Sequence, residues 1–159
     1  MNRIDVHINM EKEERKEYLL KEIDIIQSVI NRMSYNSFLI KGWTITLVVG
    51  ILLLDNIASY KIQVSIAFIP LILFWLLDSY FLWKERLYRK LYEWVINNRK
   101  TNDDHLFSMN VKRFEREVSK YTVPFSWTFL LFYGGIFVSI LIYLISIYIG
   151  LIKDDINGT

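Results

Sequence analysis

The sequence predicts an all-α integral membrane protein of three transmembrane helices, two of them extended into the cytoplasm, forming a homo-oligomeric bundle. Three observations predict it. The apolar residues fall in three blocks, the charges crowd between those blocks, and 53% of the 159 residues are hydrophobic with 16% aromatic. An ordinary soluble domain is about 45–50% apolar and spreads those residues more evenly.

The first segment, residues 1–37, is a cytoplasmic helical arm by its pattern. Leu19, Ile23, Ile26, Ile30 and Met33 recur at alternating spacings of four and three, the seam of a coiled coil. Charges cover the other faces and offer i,i+4 pairs such as Glu11–Arg15 and Glu17–Lys21. The seam serves either assembly with other chains or packing against the protein's own second helix. No Gly or Pro interrupts the chain before Gly42, so one nearly continuous helix is expected from Lys12 to Leu54.

The first span, residues 38–58, opens with the block Phe38 to Leu54. The second covers 62–83 and contains Pro70, expected to bend it. The third covers 123–152, carries no charge, and has Pro124 at its start, where a missing N–H costs least. A helix needs about 20 residues to cross a hydrocarbon core of about 30 Å, and about 17–25 is usual. A cleaved leader is not expected, because some 37 residues rich in both signs of charge precede the first block.

Positive charge sets the expected orientation. Six basic residues precede the first span and ten lie between the second and third, against Lys61 in the first loop and Lys153 in the tail. Basic segments stay inside. The arm and the connection 84–121 are therefore expected in the cytoplasm, and the tail 153–159 in the periplasm or outside the cell. The connection should begin as a continuation of the second helix, break at Asn97–Asn98, and return to the membrane through a short amphipathic helix, VKRFEREVSKY.

Candidate functional residues follow from chemistry and depth. Arg86, Arg89, Lys90, Lys112, Arg113 and Arg116, interleaved with Tyr92 and other aromatics, either sit among anionic lipid head groups or line a pocket for a phosphate-bearing ligand. Charge with base stacking suits single-stranded nucleotide binding. A net charge of +2 gives no reason to expect duplex DNA binding. Lys41 and Asp78 should lie at similar depth on antiparallel spans. They are expected to form an ion pair, the alternative being that each snorkels to the interface. Gly42, Thr46 and Gly50 on the first span, with Gly135, Ser139, Ser146 and Gly150 on the third, form small-residue stripes. Such stripes serve close helix packing or face a conduit. Three helices enclose no useful channel alone, so conduction would need a symmetric oligomer.

Enzymatic chemistry is not expected. There is no cysteine, and the only histidines are His7 and His105, the latter beside Asp103–Asp104. No phosphate-binding, nucleophile-elbow or zinc motif occurs, so neither cofactor nor metal is predicted.

The runs NSFLIKGW and LDSYFLWKERLYRKLY, within a longer stretch over most of residues 17–111, resemble a group of small bacterial membrane proteins. These are the membrane effectors of nucleotidyltransferase-linked anti-phage systems, the Hailong-type channel effector among them. The resemblance implies an oligomeric inner-membrane channel gated by a nucleotide or short oligonucleotide that a partner nucleotidyltransferase makes. Depolarisation of the infected cell would be the output. The third span carries none of the resemblance. The competing reading from the residues is a non-conducting anchor or adaptor that recruits a partner through its cytoplasmic helices.

Overall fold

The computed structural model describes residues 3–54, 60–98 and 107–157, with side chains for 12–54, 60, 62–98, 107–150 and 153. Three long helices make up nearly all of it: α1, Arg3–Leu52; α2, Tyr60–Asn98; and α3, Trp127–Asn157. All three are long and apolar enough to cross a membrane. The last residues of the first span, 55–58, and the side chains of His7 and His105 lie outside the described residues.

The chain divides into two compact units, and both α1 and α2 contribute to each. The first unit comprises Met1–Asn36 and Phe81–Ser119. Its core is Ile26 of α1, Leu87, Leu91 and Val95 of α2, and Val111 and Phe114, with Leu19, Ile23, Ile30, Trp83 and Val118 packed around it. The seam on α1 is therefore occupied by the chain's own α2. On the opposite face of α1, Lys21 Nζ lies 2.6 Å from Glu17 Oε1. This hydrogen bond and charge hold the Glu17 carboxyl below its usual range and raise the Lys21 ammonium.

Residues 111–121 do not form the expected amphipathic helix. A single 3-10 turn, Lys112–Phe114, is followed by further turns. The apolar face is kept nonetheless, since Val111 and Phe114 are buried and Val118 packs beside them. Three features stop the helix. Eleven residues are fewer than the roughly 12–15 that make even a good helix marginal. The Trp83 indole N–H donates to the Val118 carbonyl at 2.9 Å, taking an acceptor that a continuing helix would use. Pro124 disfavours helical backbone at Val123.

The same proline delays the third span. The expected start at Val123 is corrected to Trp127, after a turn in which Ser126 N–H donates to Val123 O and Leu130 N–H to Ser126 O.

The second unit comprises Ser37–Tyr80 and Lys120–Thr159. Its interior is thin. Ile40, Thr44 and Val48 lie one turn apart on α1, Val64, Ala67, Leu71 and Asp78 line one face of α2, and α3 adds Phe129, Tyr133 and Ile140. Only 11% of the most apolar stretch of α3 is buried. Leu130, Leu131, Ile142, Ile145 and Ile149 all face outward, as do Ile69, Ile72, Leu73 and Leu76 of α2. So large an apolar surface is not sustained in water; lipid is the solvent that this unit fits. α2 runs through Pro70 without a break in its assigned helix.

At the far end of α1 the carbonyls are gathered by one side chain. Gln63 Nε2 lies 2.9 Å from Ile51 O, 3.1 Å from Leu52 O and 2.9 Å from Leu54 O. Tyr143 OH also donates to Leu52 O at 3.3 Å. A helix end leaves its last carbonyls without intrahelical partners, and here a side chain from α2 and one from α3 supply them.

Candidate functional site

The chemistry-bearing cluster in the second unit is centred on Asp78, whose side chain has no exposed surface. Lys41 Nζ lies 2.6 Å from Asp78 Oδ2. Lys41 also donates to Ser37 Oγ at 2.8 Å, and Ser37 Oγ in turn donates to Asp78 Oδ1. From α3, Tyr133 OH donates to Asp78 Oδ2 at 3.0 Å and lies 3.3 Å from Phe74 O. The Lys41 ammonium further lies 5.1 Å from the centre of the Phe129 ring, within the range of a cation–π contact.

Local sequence explains the geometry. Ser37 and Lys41 are four residues apart, so they share a face of α1. Asp78 and Phe74 stand in the same relation on α2, and Phe129 and Tyr133 on α3, their rings stacked at 5.6 Å. Each helix thus presents an i,i+4 pair to one point. The result is a neutral, hydrogen-bonded set of groups linking three helices, the form in which ionisable residues persist in a membrane. Lys41 keeps 23% of its side chain exposed, whereas Asp78 keeps none.

Sequence reasoning named Lys41 and Asp78 but not Ser37, Tyr133 or Phe129. The i,i+4 spacing of Ser37 to Lys41 was a readable signal. A lone tyrosine in an uncharged span does not show which way it turns.

The predicted basic site has a different character. Arg89 Nη2 lies 2.7 Å from Glu85 Oε1, and Lys90 Nζ lies 3.0 Å from Glu93 Oε2. Both cations are thus matched within α2, and proximity to Glu93 raises the Lys90 ammonium. Tyr92 OH accepts from Gln27 of α1 at 3.3 Å. The Arg113 guanidinium lies 3.9 Å from the centre of a Trp94 ring and 4.8 Å from that of Phe114, so it is stacked rather than converging with other bases. Arg86 is half-buried, and Lys112 and Arg116 are exposed, without an ion pair among the described residues. The structure brings Arg113 to an aromatic pair and sets Arg89 and Lys90 against acids of their own helix.

Two cavities lie among other described residues. One of about 460 Å³ runs along Glu13, Glu14, Lys16, Glu17 and Leu20 of α1, where carboxylates predominate. Another of about 370 Å³ is an apolar groove in the second unit between α1 and α3, lined by Ile45, Val48, Val49 and Leu52 on one side and Leu131, Phe132, Gly135 and Ser139 on the other.

That groove includes part of a small-residue stripe. A Cβ added at Gly42, Gly50, Gly135 or Gly150 would meet no neighbouring atom within 4 Å. Thr46 and Ser139 return their hydroxyls to carbonyls one turn back, on Gly42 and Gly135, and Ser146 is exposed. These small residues are therefore not consumed by packing within one chain. Comparison with protein-family models, with curated proteins and with solved structures returned no match.

Proposed function

We propose that the protein is the membrane effector of a nucleotidyltransferase-linked anti-phage system. In this reading it is a homo-oligomeric ion channel of the bacterial inner membrane, controlled by a nucleotide or short oligonucleotide bound on the cytoplasmic side. The observation that carries this reading is the continuity of α1 and α2, each passing from a charged half into an apolar half within one helix. A ligand gates a channel only by binding two states with different affinity, and a helix common to both halves is the element through which such a preference can act. Small residues turned outward on α1 and α3 support assembly, since they admit close approach of another copy's helices.

In this reading Arg113, held over Trp94 and Phe114, and the exposed Arg116 meet the phosphate of the ligand. The resemblance of NSFLIKGW and LDSYFLWKERLYRKLY to the defence effectors supplies the ligand class. A non-conducting adaptor that recruits a partner through the Leu19–Met33 seam has less support, because Ile26 of that seam is fully buried against α2 and Phe114.

Binding of fluorescent single-stranded oligonucleotides to the purified full chain tests the ligand. Saturable binding in the micromolar range or tighter is expected, lost in Arg113→Glu/Arg116→Glu while helical content stays unchanged. Binding that is absent, or unaltered by the double reversal in a folded protein, contradicts the proposal.

A further inference from the structure

The second unit carries aromatic side chains at its two ends, most of them exposed, and their spacing is informative. At one end stand Tyr80 on α2, Trp127 at the start of α3, and Tyr121 and Phe125 just before it, between 50% and 74% exposed. At the other stand the half-buried Tyr60 at the start of α2 and Tyr148 on α3, 62% exposed. Tyr60 and Tyr80 are twenty residues apart, a rise of about 30 Å, and Trp127 and Tyr148 twenty-one, about 32 Å. A bilayer's hydrocarbon core is about 30 Å thick.

The two helices are in register at both ends. Near Tyr80, Trp75 Nε1 donates to Pro124 O at 3.4 Å and its ring meets Phe125 edge-on at 6.0 Å. Near Tyr60, Gln63 and Tyr143 converge on the carbonyl of Leu52. The belts therefore mark two levels across the unit. Lys120, beside the Tyr121 ring at 5.1 Å, and the exposed Lys153 lie outside these levels, while Lys41 and Asp78 between them are paired at 2.6 Å.

We infer that these belts are the docking surfaces of the protein for the head-group zone of a phospholipid bilayer, one at Tyr80 and Trp127, the other at Tyr60 and Tyr148. Tyr and Trp favour this zone because the ring body is apolar while its O–H or N–H stays hydrated. Three consequences follow. The hydrocarbon-crossing part of α3 is Trp127–Tyr148, shorter than the apolar block from Val123 to Ile152. The turn 120–126 lies among head groups rather than in the core. Asp78, two residues inside Tyr80, lies just below the boundary, where a buried carboxylate most needs Lys41 and Tyr133.

The natural chain has no cysteine, so single spin labels can be placed without background changes. Trp127→Cys, Val138→Cys and Tyr148→Cys, each labelled in the full chain in phosphatidylcholine–phosphatidylglycerol vesicles, are compared by accessibility to oxygen and to a water-soluble nickel chelate. The label at 138 is expected to show the greatest oxygen preference, with those at 127 and 148 intermediate between lipid and water. A depth maximum displaced by a helical turn or more, or a label at 127 or 148 exposed to bulk water, overturns the assignment. A label shielded from both relaxants assigns that belt to contact with a second copy instead. The readout requires no conduction and no ligand, so its outcome is independent of the proposed channel activity.

Discussion

Removing the Lys41 ammonium would leave Asp78 as a carboxylate with no exposed surface and only hydroxyl donors, whereas removing the Asp78 charge leaves a lysine whose side chain is 23% exposed. Breaking a buried ion pair by deleting one partner costs about 3–5 kcal/mol. Lys41→Met is therefore predicted near that range and Asp78→Asn below it, measured by unfolding in detergent micelles. The double variant should cost less than the sum of the two, because the interaction is lost only once. Tyr133→Phe removes one hydrogen bond and should cost about 1 kcal/mol. Equal and additive effects would contradict the arrangement. The sequence made the two charged members legible through depth counting alone. It left Ser37, Tyr133 and Phe129 unread, because which face a neutral polar residue turns inward is decided by three helices packing together.

At the scale of the element, the helices were the most legible feature, since long uninterrupted periodicity and absence of breakers are local properties. The segment 111–121 was misread because its apolar periodicity is real while its backbone is decided by Trp83, thirty-five residues before Val118, and by Pro124. Trp83→Phe, which removes the indole donor but keeps a ring, is predicted to raise hydrogen exchange over residues 112–118 while leaving that of α1 unchanged. The end of α1 depends on Gln63 in the same way. Gln63→Leu frees its carbonyls and is predicted to cost about 1 kcal/mol, with raised exchange confined to the adjoining turn. The Glu17–Lys21 pair gives a pH dependence of defined sign. Glu17 is more acidic in the folded chain, so its small contribution is present above the ordinary glutamate range and is lost as pH falls through the lowered value. Glu17→Gln should flatten that acid limb of the helical circular dichroism signal and remove the pair's small contribution near neutrality.

For the whole molecule, the thin interior of the second unit and the outward-facing Gly135 and Ser139 lead to one expectation for assembly. Gly135→Leu/Ser139→Leu fills open space in the single chain, so its folding should be retained. The proposed oligomer, measured by light scattering with detergent subtraction, should dissociate. The sequence showed that such stripes exist but not that they are unused within the chain, which depends on where the other two helices lie. Ion flux from liposomes containing the purified protein tests the central claim most directly. Flux that changes at least tenfold, in either direction, on adding single-stranded oligonucleotides to the side bearing Arg113 is predicted, with the response lost in Arg113→Glu/Arg116→Glu. A defined oligomer that passes no ions under any oligonucleotide would contradict it.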